Sequence, residues 1–168
     1  MKKWEKGQIF STDLLFASTA LIFILLTLFY YSSMQEERIS AFERQKEMNE
    51  TAFYSAALLA ENGGSPDKWE GLNLDGINGI GLAGSSNVLQ KSKIEKMAAL
   101  CNADCNSMKE KIGLSKYNFR LGITDAKSGK LVYSIKNSIP AQNSDVAGYS
   151  RIVYFDGNVM MLKLEVFG

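Results

Sequence analysis

Lys2-Lys3-Trp4-Glu5-Lys6-Gly7, then Gln8-Ile9-Phe10-Ser11-Thr12-Asp13, then an uncharged and largely apolar run over residues 14–31: this order decides how the chain is built. A secretory signal is cut after its apolar region, usually at a small-x-small site, and loses that region on cutting. Here the small residue, Gly7, comes first, so a cut between Gly7 and Gln8 leaves the apolar segment on the mature chain. The run is about long enough to cross a hydrocarbon core of roughly 30 Å. Lys2, Lys3 and Lys6 precede it and Glu36-Glu37-Arg38 follow it. The positive-inside bias therefore puts the N-terminus in the cytoplasm and the rest of the chain outside.

Lys6-Gly7-Gln8, with Ser11 and Asp13 just beyond and the long apolar segment following, resembles the class III signal peptide of archaeal type IV pilins and pilin-like proteins. The resemblance implies cleavage by a membrane prepilin peptidase between Gly7 and Gln8. It also implies extraction from the bilayer by a membrane assembly platform and packing of the retained helix into the core of a surface filament. Asp13 stands one position further from the junction than the acid of many members. A plain single-pass anchor shares the same topology but needs neither the Gly7-Gln8 junction nor an acid at the helix start.

An acid bordering lipid is costly and is usually retained for a partner. In the first helical turn it also meets the positive end of the helix dipole. Cleavage creates an amino group at Gln8 that can pair with Asp13 of the same or a neighbouring subunit, acting mainly as a register key because a broken buried pair is expensive. The alternative is a water-facing helix cap.

The 168 residues suit one domain plus an anchor. The formal charge is +1, and removing residues 1–7 brings the mature chain to about −1. With no basic tract, nothing points to nucleic acid. Neither Gly nor Pro occurs between Gly7 and Gly63, which favours one continuous helix of about fifty residues, roughly 75 to 80 Å long. Its expected parts are a transmembrane or filament-core helix over residues 8–34 and a neck and head spine over residues 35–62. In the latter, Ala52, Phe53, Ala56, Ala57, Leu59 and Ala60 recur at helical spacing. Asn62-Gly63-Gly64 supplies the stop.

Residues 63–168 are expected to form an extracellular head. Helical periodicity runs over residues 90–100 and 106–112. Trp69, Ile80-Gly81-Leu82-Ala83, Asn87, Leu89 and Ile94 are similar to a segment recurring in archaeal pilin-like heads. Strand signals cover residues 118–124, 130–135, 149–155 and 159–167, with Asp156-Gly157 a hairpin turn between the last two. The expected fold class is α+β: a long N-terminal hydrophobic helix carrying a small head of short helices and an antiparallel sheet of about four strands.

Gly79-Ile80-Gly81-Leu82-Ala83-Gly84 matches G-x-G-x-x-G in form, but no apolar strand precedes it and no βαβ unit surrounds it, so no dinucleotide or other cofactor is expected. Cys101 and Cys105 are too few for a structural zinc site in a chain without His. They read as a local disulfide or as two small buried thiols. Asn49-Glu50-Thr51 is an N-glycosylation sequon or a chance match on a polar helix. No nucleophile sits in a recognisable turn, and Asp104, Asp125, Asp145 and Asp156 read as turn and cap residues. The chain is not expected to be an enzyme. The expected function is that of a pilin-like structural subunit of an archaeal type IV filament. Its partners are then copies of itself or other pilins, prepilin peptidase, the assembly platform and, before assembly, the bilayer. The runner-up is a membrane-anchored extracellular domain that binds a ligand or partner and does not polymerise.

Overall fold

The computed structural model describes the backbone from residue 5 and the side chains from residue 12 onward, Glu37 apart. It divides into two compact units, Met1–Arg44 and Gln45–Gly168. Helix α1 (Glu5–Glu61) contributes to both. In the second unit it buries Met48, Ala52, Ser55, Ala56, Leu59 and Ala60, a stripe at helical spacing. Three of these are Ala at intervals of four, and their small side chains let a sheet lie close to the helix backbone.

That sheet has β5 (Asn118–Asp125), β6 (Leu131–Lys136), β7 (Val146–Phe155) and β8 (Asn158–Phe167) as its long strands. Each alternates with period two, so that Phe119, Leu121 and Ile123 of β5 and Met160, Leu162, Leu164 and Val166 of β8 face one core with the α1 stripe. Phe53 meets Tyr149 of β7 edge-to-face at 4.9 Å between ring centroids, and Glu61 pairs with Arg151 of the same strand. The turn between β7 and β8 is Asp156-Gly157, with φ of 51° and 75°. Both angles are positive, as a type I′ hairpin requires.

The sheet is larger than the expected four strands, and it is mixed rather than antiparallel. Two short strands, β3 (Ala83–Ser85) and β4 (Val88–Leu89), extend it to six in the order β3-β4-β7-β8-β5-β6. β4 joins β7 in parallel through Val88 and Tyr154. A separate pair is formed by β1 (Gly64–Ser65) and β2 (Gly79–Ile80). These additions escape the sequence pattern because they are too short to alternate and are rich in Gly. Nor does the head carry a set of short α-helices. It has one twenty-residue helix, α2 (Lys91–Glu110), and two 3-10 turns at Trp69–Gly71 and Leu74–Gly76. The break in helical periodicity is a kink at Asp104, at φ −151° and ψ 88°. Its carboxylate caps the turn that follows, accepting from the backbone N–H of Asn106 and Ser107 and from the Ser107 hydroxyl. These bonds, the Ser107 hydroxyl foremost, hold the Asp104 carboxyl below its ordinary pKa. Cys101 and Cys105 are joined by a disulfide across the kink.

The final carbonyls of α1 have no partner within the helix. Residues 82–87 supply donors: Leu82 N–H to Leu59 O at 2.9 Å, Asn87 N–H to Ala60 O at 2.9 Å and Ala83 N–H to Asn62 O at 3.1 Å. The next carbonyl, Gly63 O, accepts from the Trp69 indole at 2.9 Å and from the Lys93 ammonium at 2.7 Å. Lys93 also donates to Ala83 O at 3.1 Å and is only 4% exposed. Its cation sits beside the negative end of the α1 dipole, where positive charge is favoured. The approach is so close that a Cβ on Gly81 would overlap the Asn62 carbonyl and lie 2.7 Å from Gly64 N. Gly81, the middle glycine of the run resembling a phosphate cradle, thus serves backbone packing at the end of α1.

On the opposite face of the sheet, Glu165 lies between Arg120 and Lys163, whose Nζ is 2.8 Å away. Burial pushes its carboxyl up, but hydrogen bonds from Lys163 and Arg120 outweigh that and hold it below the ordinary value. A carboxyl depressed in the folded state contributes stability above its unfolded pKa and loses it as pH falls through the folded one.

Two outcomes are expected for a chain spanning residues 35–168. Gly81→Ala lowers stability in urea unfolding by at least about 2 kcal/mol, whereas Gly71→Ala, which meets open space, changes it by less than about 0.5 kcal/mol. Glu165→Gln is less stable than wild type at neutral pH, and the gap closes as the pH is taken below the ordinary carboxylate range.

Candidate functional site

The candidate site is the apolar part of α1 within the first unit. Residues 12–36 are exposed throughout, including Phe23 at 72% and Phe29 at 77%. α1 is long and apolar enough to cross a membrane, with a window of mean hydropathy 2.2 in which no residue is buried.

The segment is not uniformly greasy: Ser18, Thr19 and Thr27 interrupt it, and Ser33 follows. The hydroxyls of these four residues are turned back onto their own helix. Ser18 donates to Leu15 O at 3.0 Å, Thr19 to Leu15 O at 2.6 Å, Thr27 to Phe23 O at 2.8 Å and Ser33 to Tyr30 O at 2.9 Å. Hydroxyls satisfied in this way need no water, so Ser18, Thr19 and Thr27 leave no unmet side-chain donor within the apolar run. Tyr30 and Tyr31 close the run, where an amphipathic ring suits a membrane boundary.

Asp13 is exposed at the start of this stretch. Gly7 and Gln8 lie on helical backbone, but their side chains, and the leader residues before Glu5 altogether, lie outside the described residues. The pairing of Asp13 with an amine at Gln8 therefore lies outside the described residues. Asn49 is exposed on α1 in the second unit, well separated in sequence from this stretch.

Elsewhere the chemistry is sparse. Among the described residues no group of three or more His, Cys, Asp or Glu is arranged to hold a metal ion. Asp125 organises the turn before β6, accepting from the N–H groups of Lys127 and Ser128 and from the Ser128 hydroxyl. The Ser128 bonds hold its carboxyl below the ordinary value. Glu47 of α1 is held down, and Lys116 up, by their mutual hydrogen bond at 2.7 Å and their opposite charges. Sequence reasoning missed Lys93, because a Lys flanking apolar Ile94 looks like an ordinary solvated position. It also missed the Phe53–Tyr149 ring contact, whose partners come from distant parts of the chain.

No family model, curated protein or solved structure matches the chain.

A charge at the centre of a lipid-spanning helix costs about 2.5 to 3.5 kcal/mol on insertion scales. Ile24→Lys is therefore expected to shift the full chain from the carbonate-resistant membrane fraction toward the soluble or aggregated one. Lys substituted at exposed Phe42, beyond the apolar run, leaves that partition unchanged.

Proposed function

We propose that the chain is a pilin-like structural subunit of an archaeal type IV surface filament, cut between Gly7 and Gln8 and assembled through its N-terminal helix. The observation that carries the reading is the exposed apolar surface of residues 14–31 on a helix whose later residues form the spine of a folded head. Contiguous apolar surface on this scale calls for a partner. Lipid is the partner before assembly and the equivalent helix of other subunits afterwards. The Lys6-Gly7-Gln8 junction and Asp13 add what a passive anchor does not need. The inward-folded hydroxyls support it as well, since they suit the helix to either surrounding. In this reading the head lies outside the cell, the chain carries no catalytic centre, and Asp13 pairs with the amine released at Gln8.

Sequencing the N-terminus of protein sheared from the cell surface tests the proposal. The mature chain is expected to begin at Gln8, Gly7→Arg is expected to block cutting, and Asp13→Ala is expected to be inserted and cut normally yet to give several-fold fewer filaments. Surface protein that still begins at Met1 and never sediments as a polymer identifies a membrane-anchored extracellular domain instead.

A further inference from the structure

Asn49 does more than display a sequon on an exposed helix. It forms the edge of a groove of about 370 Å³ lined also by Glu50, Phe53, Tyr54, Gly148 and Tyr149. Phe53 is held edge-on both to Tyr54, at 5.3 Å, and to Tyr149, at 4.9 Å, and stays 41% exposed. Gly148 places no side chain in the space. The Asn49 side chain makes one long contact, accepting at Oδ1 from Gln45 Nε2 at 3.4 Å, which leaves its Nδ2 to point elsewhere.

We propose that Asn49 carries an N-linked glycan whose first sugar lies in this groove against the rings of Phe53, Tyr54 and Tyr149. A sugar ring has an apolar C–H face and a hydroxyl rim. The groove matches both, with aromatic walls for the face and the Glu50 carboxylate for the rim. The occupant follows from the sequence Asn49-Glu50-Thr51, whose acceptor Asn is one of the six residues lining the groove. The donor is a lipid phosphate-linked oligosaccharide, acted on by a membrane transferase. Nδ2 of Asn49 forms the bond to the anomeric carbon, the bond from that carbon to the phosphate oxygen breaks, and the lipid phosphate leaves with the electron pair as Nδ2 loses one proton. Thr51, two residues on, completes the acceptor sequence. The proposal rests on the outward placement of the head, because donor and transferase act on that side of the membrane.

The test uses the full chain isolated from the membranes of its own cells. Trypsin releases Asn49 in a peptide running from Glu47 to Lys68, which has no internal Lys or Arg. Its mass is expected to carry a sugar chain located at Asn49, to lose it in Thr51→Ala and to keep it in Thr51→Ser. External protease on intact cells separates the two ways of failing. An unmodified peptide from a head that is digested overturns the glycan and leaves the topology standing, whereas a head protected from digestion overturns both. The seat in the groove has its own measurement. The glycosylated chain is expected to unfold a few degrees above the unmodified Thr51→Ala chain, and that difference is expected to vanish when both carry Phe53→Leu, which removes the ring but keeps apolar bulk. An equal difference with and without the ring overturns the seat.

Discussion

A helix that ends inside a protein must find donors for its last carbonyls, and the head is arranged around that demand. A buried carbonyl left unmet costs about 1 to 3 kcal/mol. Leu59 and Ala60 near the end of α1, and Asn62 and Gly63 just beyond it, present four carbonyls that are met from elsewhere in the head. Left unmet, even the two on buried Leu59 and Ala60 would take a sizeable part of the roughly 5 to 15 kcal/mol that keeps a domain folded. The solution draws on residues far apart in sequence: the backbone of residues 82–87, the Trp69 indole and the Lys93 ammonium. Because the donors are backbone groups, two stretches of main chain must nearly touch, and a glycine at position 81 follows from that geometry. The parallel joint between β4 and β7 then ties the same stretch into the large sheet.

α1 changes its chemistry along its length. In residues 14–31 it carries bulky Leu, Ile, Phe and Tyr on every side, which suits a surrounding without direction. Over residues 48–60 it carries a one-sided stripe of mostly small residues, which suits a sheet at close range. Good helix formers run through both, so one continuous element can serve two surroundings that demand different side chains.

Much of this was legible because it is local. The four long strands are written as alternation, their last hairpin as Asp156-Gly157, and the helix stop as Asn62-Gly63-Gly64. The gap between two periodic segments was visible too, but it marks a kink within one helix rather than a break between two short ones. What stayed hidden is non-local. β3 and β4 carry no alternation of their own and exist through hydrogen bonds to α1 and β7. Lys93 is buried only because Gly63 and Ala83 bring carbonyls to it, and no neighbour in the sequence announces them. The aromatic groove was equally invisible, since Phe53 and Tyr149 share a wall only after the sheet has closed on the helix. Of the candidate site, the apolar run could be read directly. The inward hydroxyl bonds of Ser18, Thr19 and Thr27 needed coordinates.

The position of β8 in the sheet sets an order of events in time. It is the last strand in sequence, yet it lies between β7 and β5 at the centre of the sheet. The core that covers the α1 stripe therefore cannot close until residue 167 has been synthesised, long after residues 14–31 have left the ribosome. A chain made from its N-terminus must commit its apolar segment to an environment while the head is still open. During that interval the stripe at residues 48–60 is a free helix face awaiting its sheet. Non-local pairing of this kind is slow relative to helix formation, so the first unit settles first and the head completes itself around a helix already in place.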